Sequence, residues 1–262
     1  MRGFACALAI SLALAAPVEA APRKVASLKL CTDELLLMLA DAGQIGSVTY
    51  LSQQPLESPL WRQARRYPAN DGSLLSIAAV GPDLVIDMGG GGRDGARIAR
   101  RLGVKMLMLP YPQSLADVEN ALRRVGEAIG RPAAGAGLAA RIERLRRETP
   151  AHAADAAWLG GGGRSYAPDG LGAQWMALAG LKQRALPGDR LTIEQLLVRP
   201  PRVLLRSDYR SGQYSSEQGW LAHPLVKRNQ AWRTIPADGR RWTCMGPLMI
   251  GEIGRLRAEL RR

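Results

Sequence analysis

The sequence predicts an α/β protein made of two units of parallel sheet on either side of a helical connector. Three observations carry this. Short apolar runs alternate with helical stretches from Val25 to Leu109, the same rhythm resumes beyond Pro150, and the segment between them is patterned as helix throughout. Strands separated by a helix-length crossover pair in parallel, and such sheets are covered by helices on both faces.

The first unit opens with Val25 to Leu30, a short buried strand, and Thr32-Asp33-Glu34 then caps a helix on the apolar run Leu35 to Leu39. Ile45 to Tyr50 is the next strand. A loop through Tyr67 to Gly72 leads to an expected helix over Ser73 to Ala79, and Gly81-Pro82-Asp83 turns the chain into the strand Leu84 to Met88. Four glycines, Gly89 to Gly92, precede a helix from Arg93 to Leu102. Val104 to Leu109 is a strand closed by Pro110. The connector comprises helices over Ser114 to Ile129 and Ala133 to Glu148, separated by Gly130-Arg131-Pro132. The second unit has a strand at Ala156 to Leu159, glycines at 160 to 163, helices at Leu171 to Ala179 and Thr192 to Leu197, and a strand at Arg202 to Leu205. A short helix at Trp220 to Lys227, a strand at Trp232 to Ile235 and a helix at Pro247 to Leu260 complete it.

Arg2, the apolar run Phe4 to Ala16 and the small residues around Val18-Glu19-Ala20 have the form of a cleaved export signal, with the mature chain expected to begin at Ala21. The run is too short to span a bilayer, and Cys6 lies inside it, where it cannot serve for lipid attachment. A periplasmic location follows as the expectation. The 36 Lys and Arg exceed the 23 Asp and Glu, for a formal charge of +13. The arginines are scattered over helix faces without interleaved aromatics, which argues against nucleic-acid binding and leaves attraction of an anionic ligand or membrane surface.

Ligands of open parallel sheets bind beyond the carboxyl ends of the strands. Unusual residues gather at such ends: Tyr50 with Ser52, Asn70 and Asp71, Met88 with the glycines and Arg93, Tyr166, Asp208 with Tyr209, and Arg241 to Cys244. Two units contributing these loops would line a cleft with Tyr, Trp, Arg and backbone, suited to a large ligand with a polar periphery. Neither glycine run has the spacing of a phosphate or dinucleotide loop. With only His152 and His223, neither a three-histidine metal centre nor a Ser-His-Asp set can be assembled. Cys31 after the first strand and Cys244 in the last loop could both face the cleft, as a disulfide, as separate thiols or as contacts to a metal-containing ligand.

Lys24 to Leu35, Ala79 to Ile86 and Leu191 to Val203, in this order around the helical connector, resemble the iron-complex and vitamin-B12-binding family of periplasmic solute-binding proteins. The resemblance implies two Rossmann-like lobes with parallel sheets joined by a long rigid helix, the class III periplasmic binding protein fold. It places a signal peptide at 1–20, an N-terminal lobe at 21–130, the connecting helix at 131–150 and a C-terminal lobe at 151–262. It implies the substrate-binding component of an ABC importer. Such a monomer, with no catalytic residue and no cofactor or metal beyond the iron or cobalt of its ligand, captures a ferric siderophore, a heme-like compound or cobalamin. Its partners are then the permease subunits with their ATPase. Ligand contacts map to Tyr50, Asn70, Met88, Arg93, Tyr166, Tyr209 and Trp242. Docking on the permease maps to Glu194 in the second lobe; the first lobe has no acid in Ser73 to Ile77, so Asp71 is the nearby substitute. Rival readings are a sensor or interaction protein on the same fold, and a periplasmic hydrolase.

Overall fold

The structure, a computed structural model, describes residues 21–89, 92–209, 223–228 and 231–262. The export signal expected at 1–20 lies outside them. The first sheet contains β1 (Val25–Ser27), β2 (Ile45–Thr49), β3 (Ala69–Asn70), β4 (Leu84–Met88) and β5 (Lys105–Leu109), all parallel, in the order β3-β2-β1-β4-β5. The second contains β6 (Ala154–Leu159), β7 (Leu181–Gln183), β8 (Val203–Ser207) and β9 (Arg233–Ala237), also parallel, in the order β7-β6-β8-β9. Strand order reverses beside β1 in the first sheet and beside β6 in the second, so each sheet opens a crevice at the carboxyl ends of its central strands.

The apolar runs explain the strands. Every residue of β1 and β4 is buried, as befits central strands covered on both faces, whereas the edge strand β9 alternates between exposed and buried positions. Between the sheets lie α1 (Leu30–Leu39), α4 (Leu115–Ala128), α5 (Pro132–Arg147), α6 (Leu171–Leu178) and α10 (Met249–Leu260). Their apolar faces, with Leu36, Leu122, Ile142, Trp175 and Ile253 fully buried, join one core that runs from the first sheet into the second. Smaller clusters around Ala26, Ile77 and Val85, and around Leu159, Leu196 and Leu204, cover the outer faces.

The connector is a hairpin of two helices. Ser114 caps α4 by accepting from the Asp117 amide at 3.2 Å, and Pro132 starts α5. Arg123 pairs with Glu143 and Arg146 with Glu119, both at 2.6 Å, which sets the helices antiparallel. They approach through glycine: a Cβ on Gly135 would stand 2.4 Å from the Leu122 carbonyl oxygen, whereas one on Gly137 meets nothing within 4 Å. Gly135→Val is therefore expected to destabilise the protein by about 1–3 kcal/mol through overpacking against backbone. Gly137→Ala on the same helix is expected to stabilise it by about 0.5–1 kcal/mol. Urea unfolding of the two variants checks the pair, and equal effects would mean that the hairpin is not set by this contact.

Two expectations are corrected. Ser73 to Ile77 forms turns rather than a helix, because Asp71 Oδ1 accepts from the Ser73 amide at 2.8 Å and Ser76 Oγ donates to the Ser73 carbonyl, giving the backbone a local alternative; only Ala78–Val80 is helical, as 3-10 turn. The supposed last loop contains a short helix, α9 (Gly239–Cys244), capped by the Asp238 carboxylate on the Arg240 amide. The remaining helices are α2 (Trp61–Ala64), α3 (Gly92–Arg101), α7 (Ile193–Val198) and α8 (Pro224–Arg228).

Candidate functional site

The crevices of the two sheets face one another across a cleft of about 290 Å³. The first lobe supplies Cys31 from the start of α1, Met88 at the end of β4, and Tyr111, Pro112 and Gln113 beyond β5. The second supplies Tyr166 and Ala167 beyond β6, Gly170 to Gly172 at the start of α6, and Thr243 to Met245 at the end of α9. Among the described residues, none that lines the cleft is charged, although the protein is strongly basic.

Two tyrosines shape the walls, each laid against a glycine. A Cβ on Gly89 would fall 2.1 Å from the Tyr111 ring, and Gly89 has φ of 85°, so a side chain there is excluded on both counts. A Cβ on Gly172 would fall 2.4 Å from the Tyr166 ring. Tyr166 stacks on Trp158 at 5.0 Å between centroids and on Trp242 at 5.9 Å, a three-ring cluster that fixes its plane. Burial pushes the Tyr166 phenol above its ordinary value of 10.0, so it stays protonated at neutral pH. Tyr111 is 57 % exposed and forms the open side.

Of the residues expected to contact ligand, Met88 and Tyr166 line the cleft together. Asn70 does not: it is buried, its amide donates to the Ser27 carbonyl at 2.9 Å and to Ser47 Oγ at 2.8 Å, and its Oδ1 accepts from the Gly72 amide, so it ties β1, β2 and the following turn. Trp242 is 2 % exposed and packs against Tyr166 from behind, outside the lining of this cleft. Tyr50 is exposed at the end of β2, outside this cleft. Tyr209 is engaged across the lobes, its hydroxyl donating to Glu57. The side chain of Arg93 lies outside the described residues. Tyr111, Gln113 and Met245 went unnoticed in the sequence. Tyr111 obeys the same rule as the others, since it follows β5 directly; Met245 could not be found that way, because it ends a helix.

A seam beside the cleft joins the lobes. Cys31 and Cys244 form a disulfide with their Cα atoms 5.2 Å apart. One turn further along α1, Glu34 reaches into the second lobe, where its Oε1 accepts from the Leu248 amide at 3.1 Å ahead of α10. Only glycine leaves it room, since a Cβ on Gly246 would stand 2.6 Å from the same oxygen. Arg240 donates to the Pro55 carbonyl at 2.7 Å, beside the Tyr209–Glu57 contact. Burial pushes the Glu34 carboxyl up to about 7, against the opposing Leu248 hydrogen bond and the Arg241 charge. Asp33 is likewise raised to about 7 by burial, although Thr49 donates to it from both its amide and its hydroxyl.

Glu194 is exposed in the first turn of α7, and Asp71 is exposed on the first lobe. Hydrogen bonds hold both carboxyls below their ordinary values, chiefly from Thr192 to Glu194 and from Ser73 to Asp71. Both are anionic at neutral pH. Among the described residues no helix is long and apolar enough to cross a membrane, and no group of three or more His, Cys, Asp or Glu could hold a metal ion.

The sequence matches no family model and no curated protein. Solved structures do match over nearly the whole chain. The periplasmic heme-binding protein RhuT from Roseiflexus sp. RS-1, in apo form, aligns with a TM-score of 0.68 at 22% identity, over 90% of this chain and 97% of that one. The periplasmic heme-binding protein HutB of Vibrio cholerae gives 0.72 at 15% identity, over 91% and 99%. The periplasmic vitamin B12-binding protein BtuF of Vibrio cholerae gives 0.61 at 16% identity, over 92% and 97%. With two parallel sheets, a helical connector and an inter-lobe cleft, the chain has the two-lobed α/β fold of these periplasmic binding proteins.

Proposed function

We propose that the protein is the substrate-binding component of an ABC importer, exported to the periplasm, and that it captures a metal tetrapyrrole, heme-like or corrinoid, without chemical change. The observation that carries this reading is the inter-lobe cleft walled by Tyr111 and Tyr166, whose described lining residues are all uncharged. Aromatic and thioether groups suit the apolar face of a macrocycle, whereas a polyanionic ferric siderophore would leave its charge uncompensated there. The described cleft is smaller than a tetrapyrrole, so the ligand enters by one edge and keeps its polar periphery at the mouth. The positive surplus of the protein draws an anionic periphery towards it. Permease docking falls to Glu194 and Asp71, which present one carboxylate on each lobe.

The test is titration of the exported protein with heme, cyanocobalamin and ferric-siderophore chelates, followed by quenching of the six tryptophans. Saturable quenching by a tetrapyrrole is expected, with Trp158 and Trp242 reporting through Tyr166. Tyr166→Ala is expected to weaken binding by about tenfold or more, the loss of one aromatic contact with its buried area. Binding of ferric chelates alone would move the ligand assignment, and silence from every compound would favour the sensor reading.

A further inference from the structure

The disulfide Cys31–Cys244 is not hidden in a core. Both cysteines are half-buried, and both line the open cleft. The cleft has room for about ten water molecules at ~30 Å³ each, which admits a small dithiol. The bond is also a covalent tie across the seam between the lobes, which hydrogen bonds from Leu248 to Glu34, from Tyr209 to Glu57 and from Arg240 to Pro55 also cross.

We propose that Cys31–Cys244 is a thiol–disulfide exchange site in the cleft wall, reached by a small dithiol, and that its reduction loosens the seam between the lobes. The two sulfurs are not equivalent. Cys31 sits in the first turn of α1, a ten-residue helix, where the backbone field favours a thiolate; Cys244 ends a six-residue helix and has no such support. The better leaving group is therefore Cys31. A thiolate of the incoming dithiol attacks Cys244 Sγ, and the S–S bonding pair leaves on Cys31 Sγ. The second thiol of the dithiol, on losing its proton to solvent, attacks the mixed disulfide, closes the reductant's own disulfide and releases Cys244 as thiolate. Each released cysteine takes up a proton as its pKa dictates, so the protein gains two electrons and up to two protons while the dithiol is oxidised. Because one core runs through both lobes, the lobes stay together and the change is confined to the seam and the cleft wall beside it.

The experiment uses the full chain with Cys6→Ser, so that only these two sulfurs report, and needs no ligand; a failed ligand titration leaves it untouched. Under native conditions millimolar dithiothreitol is expected to expose two titratable thiols. Glutathione, a monothiol, is expected to be trapped on Cys244, as read by mass spectrometry after acid quenching. Hydrogen exchange of the amides of Met245 and Leu248, followed over the short labelling times of local opening before amides of β4 exchange, is expected to rise by about tenfold on reduction. Thiols that appear only after denaturant is added, glutathione trapped on Cys31, or unaltered exchange at the seam would each overturn the proposal. The Cys31→Ala/Cys244→Ala pair gives the same faster exchange without reductant; should it fail to fold, titration of the disulfide-bonded chain still decides.

Discussion

Replacing Cys31 and Cys244 together by alanine lowers the free energy of unfolding by roughly 5 kcal/mol on chain-entropy grounds, the largest single effect expected of any change in this protein. The reason is the length of chain the bond closes: 213 positions separate the two cysteines, so most of the chain is a loop when the protein unfolds oxidised. Against the 5–15 kcal/mol that ordinary domains possess, the loss is decisive. The transition stays single because the core through α1, α4, α6 and α10 belongs to both lobes, and neither lobe can unfold without exposing the face of the other. Urea unfolding followed by tryptophan emission checks this. The variant is expected to show a lower midpoint and a steeper dependence on urea, since its denatured chain is free to expand. A shift below about 1 kcal/mol would show that the denatured chain is already held compact in this region.

The sequence shows the layout more clearly than the site, and particular residues show why. Strands such as Leu84–Met88 are mostly apolar runs bounded by a Gly-Pro-Asp turn and by glycines, and helices such as Leu115–Ala128 begin on a serine cap; both signals are local and both are legible. Ala69–Asn70 and Leu181–Gln183 are too short to carry a period, and they become strands only because a neighbour's edge is free to pair. The rule that ligands lie beyond strand ends selects Tyr166 and Met88, but it cannot separate a side chain that faces the cleft from one that is already engaged. Asn70 has its hydrogen bonds satisfied by Ser27, Ser47 and Gly72, and Trp242 is covered by Tyr166; both depend on contacts far apart in the chain. Glu34 escaped notice for the same reason. On α1 it looks like an ordinary helix carboxylate, and only the arrival of Leu248, more than two hundred residues later, makes it a contact between lobes.

The burial of Glu34 at that contact, and of Asp33 beside it, is expected to make the protein more stable at mildly acidic pH than at neutral pH. Both carboxyls have folded-state values pushed up to about 7 by burial, from ordinary values of 3.8 for Asp33 and 4.5 for Glu34. Between its ordinary and its folded value each group binds its proton more tightly in the native state, so stability falls as pH rises through that window. At 1.36 kcal/mol per pH unit the loss is roughly 3–4 kcal/mol for each acid by pH 7, and it stays lost above. The exposed acids act in the opposite sense and in a lower window. Hydrogen bonds hold Asp71, Asp83, Asp117 and Glu194 below their ordinary values, so their contribution is present at neutral pH and disappears as the pH falls through their folded values. The two windows meet near pH 4–5, where the melting temperature should peak. Glu34→Gln isolates one acid: its side-chain carbonyl can still accept from the Leu248 amide, but it carries no charge to bury. The variant is expected to match the parent at pH 5, to exceed it at pH 8, and to show about half the parent's decline between them. Parallel melting curves for parent and variant across this range would place Glu34 at its ordinary value and remove the cost of burying its charge at the seam.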